Sequence, residues 1–372
     1  MRAVVVGGGL GGVSAAVALR AVGWEVVVLE RAASFGEVGA GIGVMPNAMR
    51  ALGVLGLADE VRRIGTGRVG GGVRDWRGRA LVRVAAGEHV VAVHRADLHR
   101  VLRRALPERC LVTDTEVTAV DDLDADLVVG ADGIWSRVRE VLFPGLPRPV
   151  YAGATAWRSV TSVPFARDLE VNQTLGAGTE FGILPLGDDR VYWYAATVAP
   201  ERGVVEGGEA DPDGELGEVR RLVGDWHRPI GDLLDATPAD AVLRHDIHEL
   251  REQPPSYAKG RVALLGDAAH AMTPYLGQGA CMAIEDGVVL AAALARFGTV
   301  AEALAHYDRE RRPRGLAVAR MSRLAGRFGH RLRNPAAIAA RNTVLRALPS
   351  SAAVRGMSTF TAWRAPELSP DR

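Results

Sequence analysis

Residues 2–30 read RAVVVGGGLGGVSAAVALRAVGWEVVVLE. Arg2–Val6 is a short β-branched run of the kind that forms a buried parallel strand. It leads directly into GGGLGG, which matches GxGxxG at Gly7, Gly9 and Gly12. Val13–Val22 is rich in Ala, Val and Leu and carries no breaker, so it reads as a helix. Gly23 ends it, and Glu25–Glu30 is a second strand finishing in an acid. Gly7 permits a tight turn, Gly9 lets the backbone approach a pyrophosphate, and Gly12 seats the helix close to the strand. The first N–H groups of that helix face the phosphate. Glu30, 18 residues after Gly12, is placed to bond the adenosine ribose hydroxyls and disfavours a 2′-phosphate. The alternative is a structural βαβ turn that binds nothing. Strand, glycines, helix, strand and acid arriving in this order favour a dinucleotide site.

The rest of the composition narrows the class. At 372 residues the chain can hold one large or two medium domains with a sizeable core. Hydrophobic content of 48% and charged content of 24% are ordinary for a globular protein. A net charge of +1 gives no electrostatic case for nucleic acid or an anionic membrane. No apolar run reaches the ~20 residues of a membrane span. Two cysteines, Cys110 and Cys281, make no disulfide framework, and the chain opens straight into a strand. The expected setting is a reducing cytoplasm, and the expected state is a monomer or homodimer.

Two further strand-to-helix junctions repeat the first. Leu127–Gly130 (LVVG) leads into ADGIWSRVRE, residues 131–140. Arg261–Leu265 (RVALL) leads into GDAAHAMTPYLGQGACMAIEDG, residues 266–287. Ligands of open α/β sheets bind at the carboxyl ends of strands, and three such ends suit a long ligand. That favours FAD over a shorter dinucleotide in the one fingerprint present.

With these motifs in hand the chain resembles the FAD-dependent aromatic hydroxylases, single-component flavoprotein monooxygenases of the p-hydroxybenzoate hydroxylase type. The matching segments are GGGLGG with Glu30–Arg31, GAGIGVMPNAMRALGVLGL (residues 39–57), HRADLHRVL (residues 94–102), GADGIWSRVR and GDAAHAMTPYLGQG, over residues 1 to about 330. The resemblance implies an α/β fold with a Rossmann-like FAD-binding domain, a mixed or antiparallel-sheet substrate domain and C-terminal helices. In that scheme 1–68, 94–150 and 257–330 form a discontinuous FAD-binding domain. Residues 69–93 and 151–256 form the substrate domain, and 331–372 a C-terminal helical segment. It also implies site residues. Gly7, Gly9, Leu10, Gly11, Gly12, Glu30 and Arg31 would hold the ADP half of FAD, with Val117 at the adenine. Gly43 would pass close to the flavin and Arg95 would contact the ribityl–phosphate region. Asp132 and Arg139 belong to a motif tied to both FAD and the nicotinamide nucleotide. Asp267 would bond a ribityl hydroxyl. Pro274, Gly277, Gln278, Gly279, Ala280 and Cys281 would line the isoalloxazine. The implied activity is a monooxygenase: NAD(P)H, bound transiently, reduces FAD, and O2 supplies an oxygen through a flavin C4a-hydroperoxide. The acceptor would be a small aromatic substrate, hydroxylated or epoxidised. The chain departs from the family where Cys110–Asp126 is too compressed for the usual β-hairpin, which puts Val117 in question.

Tyr151 to about Ser256 carries short strand-like runs: Thr155–Val160, Phe181–Leu186 and Arg190–Thr197 (RVYWYAAT). Gly176–Gly178 and Gly187–Asp188 read as turns, and Glu201–Ala210 as an exposed loop. The insert Val69–Val93 is expected to add strands to the same sheet. Period-2 alternation puts Tyr192 and Tyr194 on one face and Trp193 on the other. Tyr192 and Arg158 are the candidate catalytic side chains of this region, with Glu180 a candidate polar anchor. Packing on helices and surface ion pairs are the plain alternatives. In urate-hydroxylating relatives an Arg falls where Glu180 stands, which argues against urate.

Other chemistries are weaker. His270 and Cys281 offer no spacing from which a nucleophile–base pair can be argued. The histidines show no zinc-like pairing with cysteines, so no metal is expected. His245 and His248 read as ordinary surface in a linker. Asp308–Arg314 (DRERRPR) reads as a solvated helix face that Pro313 kinks or restarts, and the last residues as a fraying tail. The rivals to the monooxygenase are a flavin-dependent halogenase, a flavoprotein reductase or dehydrogenase, and a flavin-binding sensor. The halogenase signature Trp-x-Trp-x-Ile-Pro is absent, and Lys259 is the only lysine.

Overall fold

The computed structural model describes residues 1–36, 40–67, 70–84, 90–201 and 214–368, without the side chains of 352–354, 357 and 358. The chain begins with β1 (Arg2–Val6), α1 (Leu10–Ala21) and β2 (Glu25–Leu29), then β3 (Gly41–Val44), α2 (Pro46–Val54) and α3 (Ala58–Ile64). Next come β4 (Gly71–Asp75), β5 (Ala80–Val84), β6 (Val91–His94), α4 (Arg95–Arg104), β7 (Leu111–Val112), β8 (Leu127–Gly130) and α5 (Arg137–Leu142). The middle holds β9 (Val150–Ser162), β10 (Val171–Leu175), β11 (Thr179–Pro185) and β12 (Arg190–Thr197). It closes with α6 (Gly214–Val223), α7 (Ile230–Asp235) and β13 (Leu243–Glu249). Then follow β14 (Ala258–Lys259), β15 (Val262–Leu264), α8 (Asp267–His270), α9 (Gly279–Arg296), α10 (Val300–Phe328), α11 (Pro335–Ala347) and α12 (Ser350–Thr361).

The β-branched runs read from the sequence form one sheet, ordered β14-β15-β8-β1-β2-β7. β1 pairs in parallel with both β2 and β8, and β15 pairs in parallel with β8. The carboxyl ends of β1, β8 and β15 therefore lie side by side. Helices α1 and α9 cover this sheet and touch through their backbones: a Cβ on Gly287 would lie 2.8 Å from the Ala15 Cα. The apolar Val288–Ala295 run lies in the body of α9, with Val288, Val289, Leu290 and Ala291 all in the core.

The second sheet is ordered β13-β9-β12-β11-β10-β4-β5 and is antiparallel except for the β10–β4 pair. Arg190–Thr197 is β12 with the bounds expected. One face of this sheet is Trp157, Phe181, Ile183 and Trp193 packed on α6 and α7. The opposite face turns toward β3 and β6, where Tyr192, Tyr194, Leu184 and Val160 meet Ala40 and Ala92.

Several expectations change. Val91–Val93 does not join the large sheet; it pairs with β3 as a two-stranded ribbon, because Val91 and Val93 stand opposite Val44 and Ile42. Between Val112 and Leu127 no strand forms, so the hairpin is missing, as the compression suggested. Pro313 does not restart its helix: α10 is continuous from Val300 to Phe328 with Pro313 inside it. The Asp308–Arg314 run is only in part a solvated face: Arg309 and Glu310 are exposed, but Arg311 is buried and ion-paired and Asp308 accepts the backbone N–H of Tyr257 (2.6 Å). His245 and His248 lie within strand β13 rather than in a linker. In the described part of the tail, Trp363 and Leu368 pack on the main core. Most of the proposed Glu201–Ala210 loop lies outside the described residues. Among the described residues no helix is long and apolar enough to cross a membrane.

Candidate active site

The three strand ends build one cradle, largely from backbone. Gly7 sits at φ +106°, and a Cβ there would lie 2.4 Å from the Ala131 carbonyl oxygen, so the first two junctions touch. A Cβ on Gly12 would lie 1.9 Å from the Gly7 oxygen, the close helix–strand seat that the fingerprint demands. Gly9 is the N-cap residue of α1 and supplies no side-chain cap; Leu10, Gly11 and Gly12 open the helix with their N–H groups outward. Glu30 steadies the same turn: it accepts the Gly8 N–H (2.8 Å) and the Ala32 N–H (2.9 Å). His99 on α4 contacts the Gly8 oxygen through Nε2 (2.7 Å), a clamp that the sequence reading missed. Arg31 is exposed beside Glu30. Val117 is half-buried against the main core although its hairpin is missing.

At the third junction Gly266 takes φ +57°, a region that suits glycine, and leaves the Asp267 carboxyl exposed at the strand end. Pro274 starts a short turn that Gly277 closes at φ +61°. Gln278 is buried and N-caps α9, with Ala280 and Cys281 in its first turn. Gly279 is open: the nearest atom to a Cβ there is the Asp267 Oδ1 at 3.9 Å. Burial pushes the Cys281 thiol up to about 12, so it is no nucleophile. Gly43 on β3 completes this side, its carbonyl accepting the Cys281 thiol (3.6 Å).

Beneath the cradle lies an ion cluster that sequence reasoning did not find. Arg311 bonds Asp286 (2.6 Å) and Glu285 (2.6 Å), and Arg314 adds a two-pronged contact to Glu285 (2.7 Å each). Asp286 also accepts the Gly266 N–H (2.9 Å) and lies 2.7 Å from His270 Nε2. Glu285 accepts the Asn47 amide (2.6 Å), which also reaches Gln278 (2.9 Å). Burial alone would raise the Asp286 carboxyl; Arg311 and His270 hold it well below the usual carboxylate range. Two guanidinium groups balance two carboxylates, and every carboxylate oxygen is bonded. The cluster thus locks the turn before Asp267 to the loop before Gly279. The signal was present as two adjacent acids inside an apolar helix, Glu285–Asp286.

Asp132 and Arg139 brace rather than project. Asp132 accepts from Ser136 Oγ (2.6 Å) and the Val138 N–H (3.0 Å). Arg139 is buried and donates to the carbonyls of Ile134 (2.6 Å) and Ala268 (3.0 Å), tying the second junction to the third. Burial lowers its pKa against the pull of Asp132, Glu140 and Asp267.

Facing the cradle is the sheet face that carries Tyr192, Tyr194, Arg158, Glu180 and His245. The cross-strand register sets Arg158 opposite Tyr194, Tyr192 opposite Leu184, and His245 opposite Ala156. Tyr192 and Tyr194 share this face with ring centroids 6.2 Å apart, while Trp193 stacks on Phe181 on the other face, as alternation required. A Cβ on Gly41 would strike Tyr192, so the tyrosine is seated directly on β3. Burial raises the pKa of Tyr192 despite Arg158 and Arg95. Glu180 is buried inside β11, accepts from Gln173 (2.9 Å) and lies 3.4 Å from His330 Nδ1.

Comparison with known proteins agrees with this geometry. The sequence profile of the FAD binding domain family matches residues 1–122 and 107–322. The chain is 37% identical over 331 residues to the aurachin C monooxygenase/isomerase of Stigmatella aurantiaca, covering 83% of this chain and 84% of that one. It is 33% identical over 364 residues to the 6-hydroxynicotinate 3-monooxygenase of Bordetella bronchiseptica, covering 86% and 90%. The chain belongs to the FAD-dependent aromatic monooxygenases. The solved structure of HpxO from Klebsiella pneumoniae complexed with FAD and uric acid is similar to this monooxygenase with a TM-score of 0.87 and 28% identity, over 97% of each chain.

The cradle fits FAD on its own evidence. The positions closest to the expected pyrophosphate and ring are glycines whose Cβ would strike backbone or enter open space, and Asp267 offers an unspent carboxylate between them. The only lysine of the monooxygenase, Lys259, donates to the Leu142 carbonyl (2.8 Å) on the far edge strand β14. Among the described residues no group of His, Cys, Asp and Glu could hold a metal ion.

Proposed function

We propose that the protein hydroxylates a small aromatic substrate that already carries a ring hydroxyl, in the space between the cradle and the tyrosine-bearing sheet face. The observation that carries this reading is the pairing of a glycine-built cradle with an opposed face holding Tyr192, Tyr194 and Arg158. Bound FAD, reduced by NAD(P)H, supplies the activation of O2. The chain supplies the surroundings. Gly7, Gly9–Gly12, Glu30 and Arg31 hold the ADP half, Arg95 and Asp267 the middle, and Gly43 with Pro274–Cys281 the ring. The N-terminus of α9 directs N–H groups and its positive dipole end toward the ring, where reduced flavin is negative. Tyr192 and Tyr194, seated on β3, exclude water and give an aromatic wall. Arg158 makes no hydrogen bond or ion pair among the described residues and offers its guanidinium to a substrate oxygen. Asp132 and Arg139 act by bracing the second junction against the third.

The test is purified holoprotein with NAD(P)H and a panel of monophenols and hydroxypyridines. Substrate-stimulated oxygen consumption with a product heavier by one oxygen atom is expected. Flavin reduction with no oxygenated product from any of them would leave a reductase instead.

A further inference from the structure

We propose that His245 is the base that takes the ring-hydroxyl proton of the substrate, with Arg158 beside it holding the oxyanion that remains. The assignment rests on the hydroxylase reading above. Oxygen transfer to an aromatic ring is electrophilic, so a ring bearing O⁻ reacts faster than one bearing OH. The step is a proton transfer alone. The substrate O–H bond breaks and its electron pair stays on oxygen, an N–H bond forms on the imidazole, and the proton then leaves to solvent.

The placement comes from strand register. In the β13–β9 pair Leu243 stands opposite Arg158 and His245 opposite Ala156, so His245 and Arg158 are diagonal neighbours on one face. That face is the one Tyr192 and Tyr194 occupy, turned toward β3 and the start of α4. Two cations reach His245: Arg158 from β9 and Arg95 from the first position of α4. Its strand neighbours Arg244 and Asp246 alternate to the opposite face, where Asp246 accepts from Thr155 and Arg244 pairs with Glu215. Other histidines spend ring nitrogens on protein partners: His99 on Gly8, His227 on Thr174, His248 on Glu201 and His270 on Asp286. His245 is exposed and makes no hydrogen bond among the described residues.

The electrostatics suit a base. Partial desolvation by the surrounding chain, and then Arg158 and Arg95, lower the His245 pKa from 6.5, so the ring is neutral at pH 7 and can accept a proton. The same two guanidinium groups destabilise the imidazolium and stabilise a phenolate. The transferred proton is therefore passed on to water, and the oxyanion stays.

The experiment uses the FAD-loaded enzyme with a set of monophenols and 6-hydroxynicotinate, comparing wild type with His245→Ala. For the wild type, kcat/KM falls on the acid side with a limb below pH 6.5. His245→Ala loses that limb and about 10²-fold in rate near neutrality, the usual worth of a positioned base. Its deficit closes as pH rises past the probe's own hydroxyl pKa, and added imidazole restores part of the rate. FAD content and melting temperature stay at wild-type values. In Arg158→Gln, NMR titration of the His245 ring moves upward toward 6.5. If wild type oxygenates a probe and His245→Ala keeps both rate and acid limb, the base is elsewhere. If wild type oxygenates no probe, the hydroxylase reading itself falls, and the base with it.

Discussion

The two walls of the candidate site are made differently. The cradle is backbone: glycines at Gly7, Gly12, Gly266, Gly277 and Gly279, helix N-termini, and one exposed carboxyl at Asp267. The opposed sheet face is side chain: tyrosines, Arg158, Glu180 and His245 standing at alternate positions of four strands. A backbone site tolerates few sequences, because only glycine has no Cβ to collide. A side-chain site can be rebuilt by substitution at any alternating position without disturbing the fold. In the proposed reading the cradle therefore fixes the cofactor and the face chooses the substrate.

The sharpest way to break the cradle is Gly12→Val. Its Cβ would lie 1.9 Å from the Gly7 oxygen, so α1 must leave β1. No FAD-loaded, folded protein is expected, checked by the flavin absorbance of the purified protein and its circular dichroism. A variant that keeps its yellow colour would mean that α1 and β1 are not as close as described.

The next effect comes from beneath the cradle. Arg311→Ala leaves Asp286 buried with one cation lost, and removing one partner of a buried pair costs about 3–5 kcal/mol. Denaturant titration should show that loss. The sign of the pH dependence follows from the depressed Asp286 pKa. Its stabilisation is present above the unfolded carboxylate value of 3.8 and is lost only as pH falls through the lower folded value. Wild type should keep this contribution at pH 5, and the variant should lack it there.

Gly279→Leu separates fold from cofactor. A Cβ there meets no protein atom closer than the Asp267 Oδ1 at 3.9 Å, so the side chain starts into open space and the apoprotein is expected to melt as before. FAD affinity should fall at least about tenfold, roughly 1.4 kcal/mol, read by flavin fluorescence titration. Equal affinity would remove Gly279 from the ring's wall. On the sheet face, Glu180→Ala strips the acceptor from Gln173 and the nearest partner from His330. It should cost about 1–3 kcal/mol of stability while leaving FAD affinity unchanged.

The contrast also explains what could be read from sequence. Gly7, Gly9, Gly12 and the Gly266–Cys281 stretch were legible because each glycine answers a local steric demand, and local demands leave local patterns. Alternation within Arg190–Thr197 gave the tyrosine face for the same reason. His245 was misread as linker because five residues around it, Arg244–His248, are nearly all polar and carry no apolar alternation. Only pairing with β9 makes them a strand. Arg311 was misread because DRERRPR has the composition of a solvated face. Its burial depends on Glu285 and Asp286, some 25 residues earlier, a pairing that no local pattern records.

The smallest effect tests whether the second junction only braces. Ser136 caps α5, accepting the Arg139 N–H (2.9 Å) while its own hydroxyl donates to Asp132 (2.6 Å). Ser136→Ala removes an N-cap worth about 1 kcal/mol. Asp132 still accepts the Val138 N–H and Arg139 still reaches the Ala268 carbonyl, so the link to the third junction survives. A small drop in melting temperature with unchanged FAD affinity is therefore expected. If FAD affinity fell by more than the stability loss explains, the cap would be holding Asp132 in a position the cofactor reads directly, and the junction would belong to the cradle rather than stand behind it.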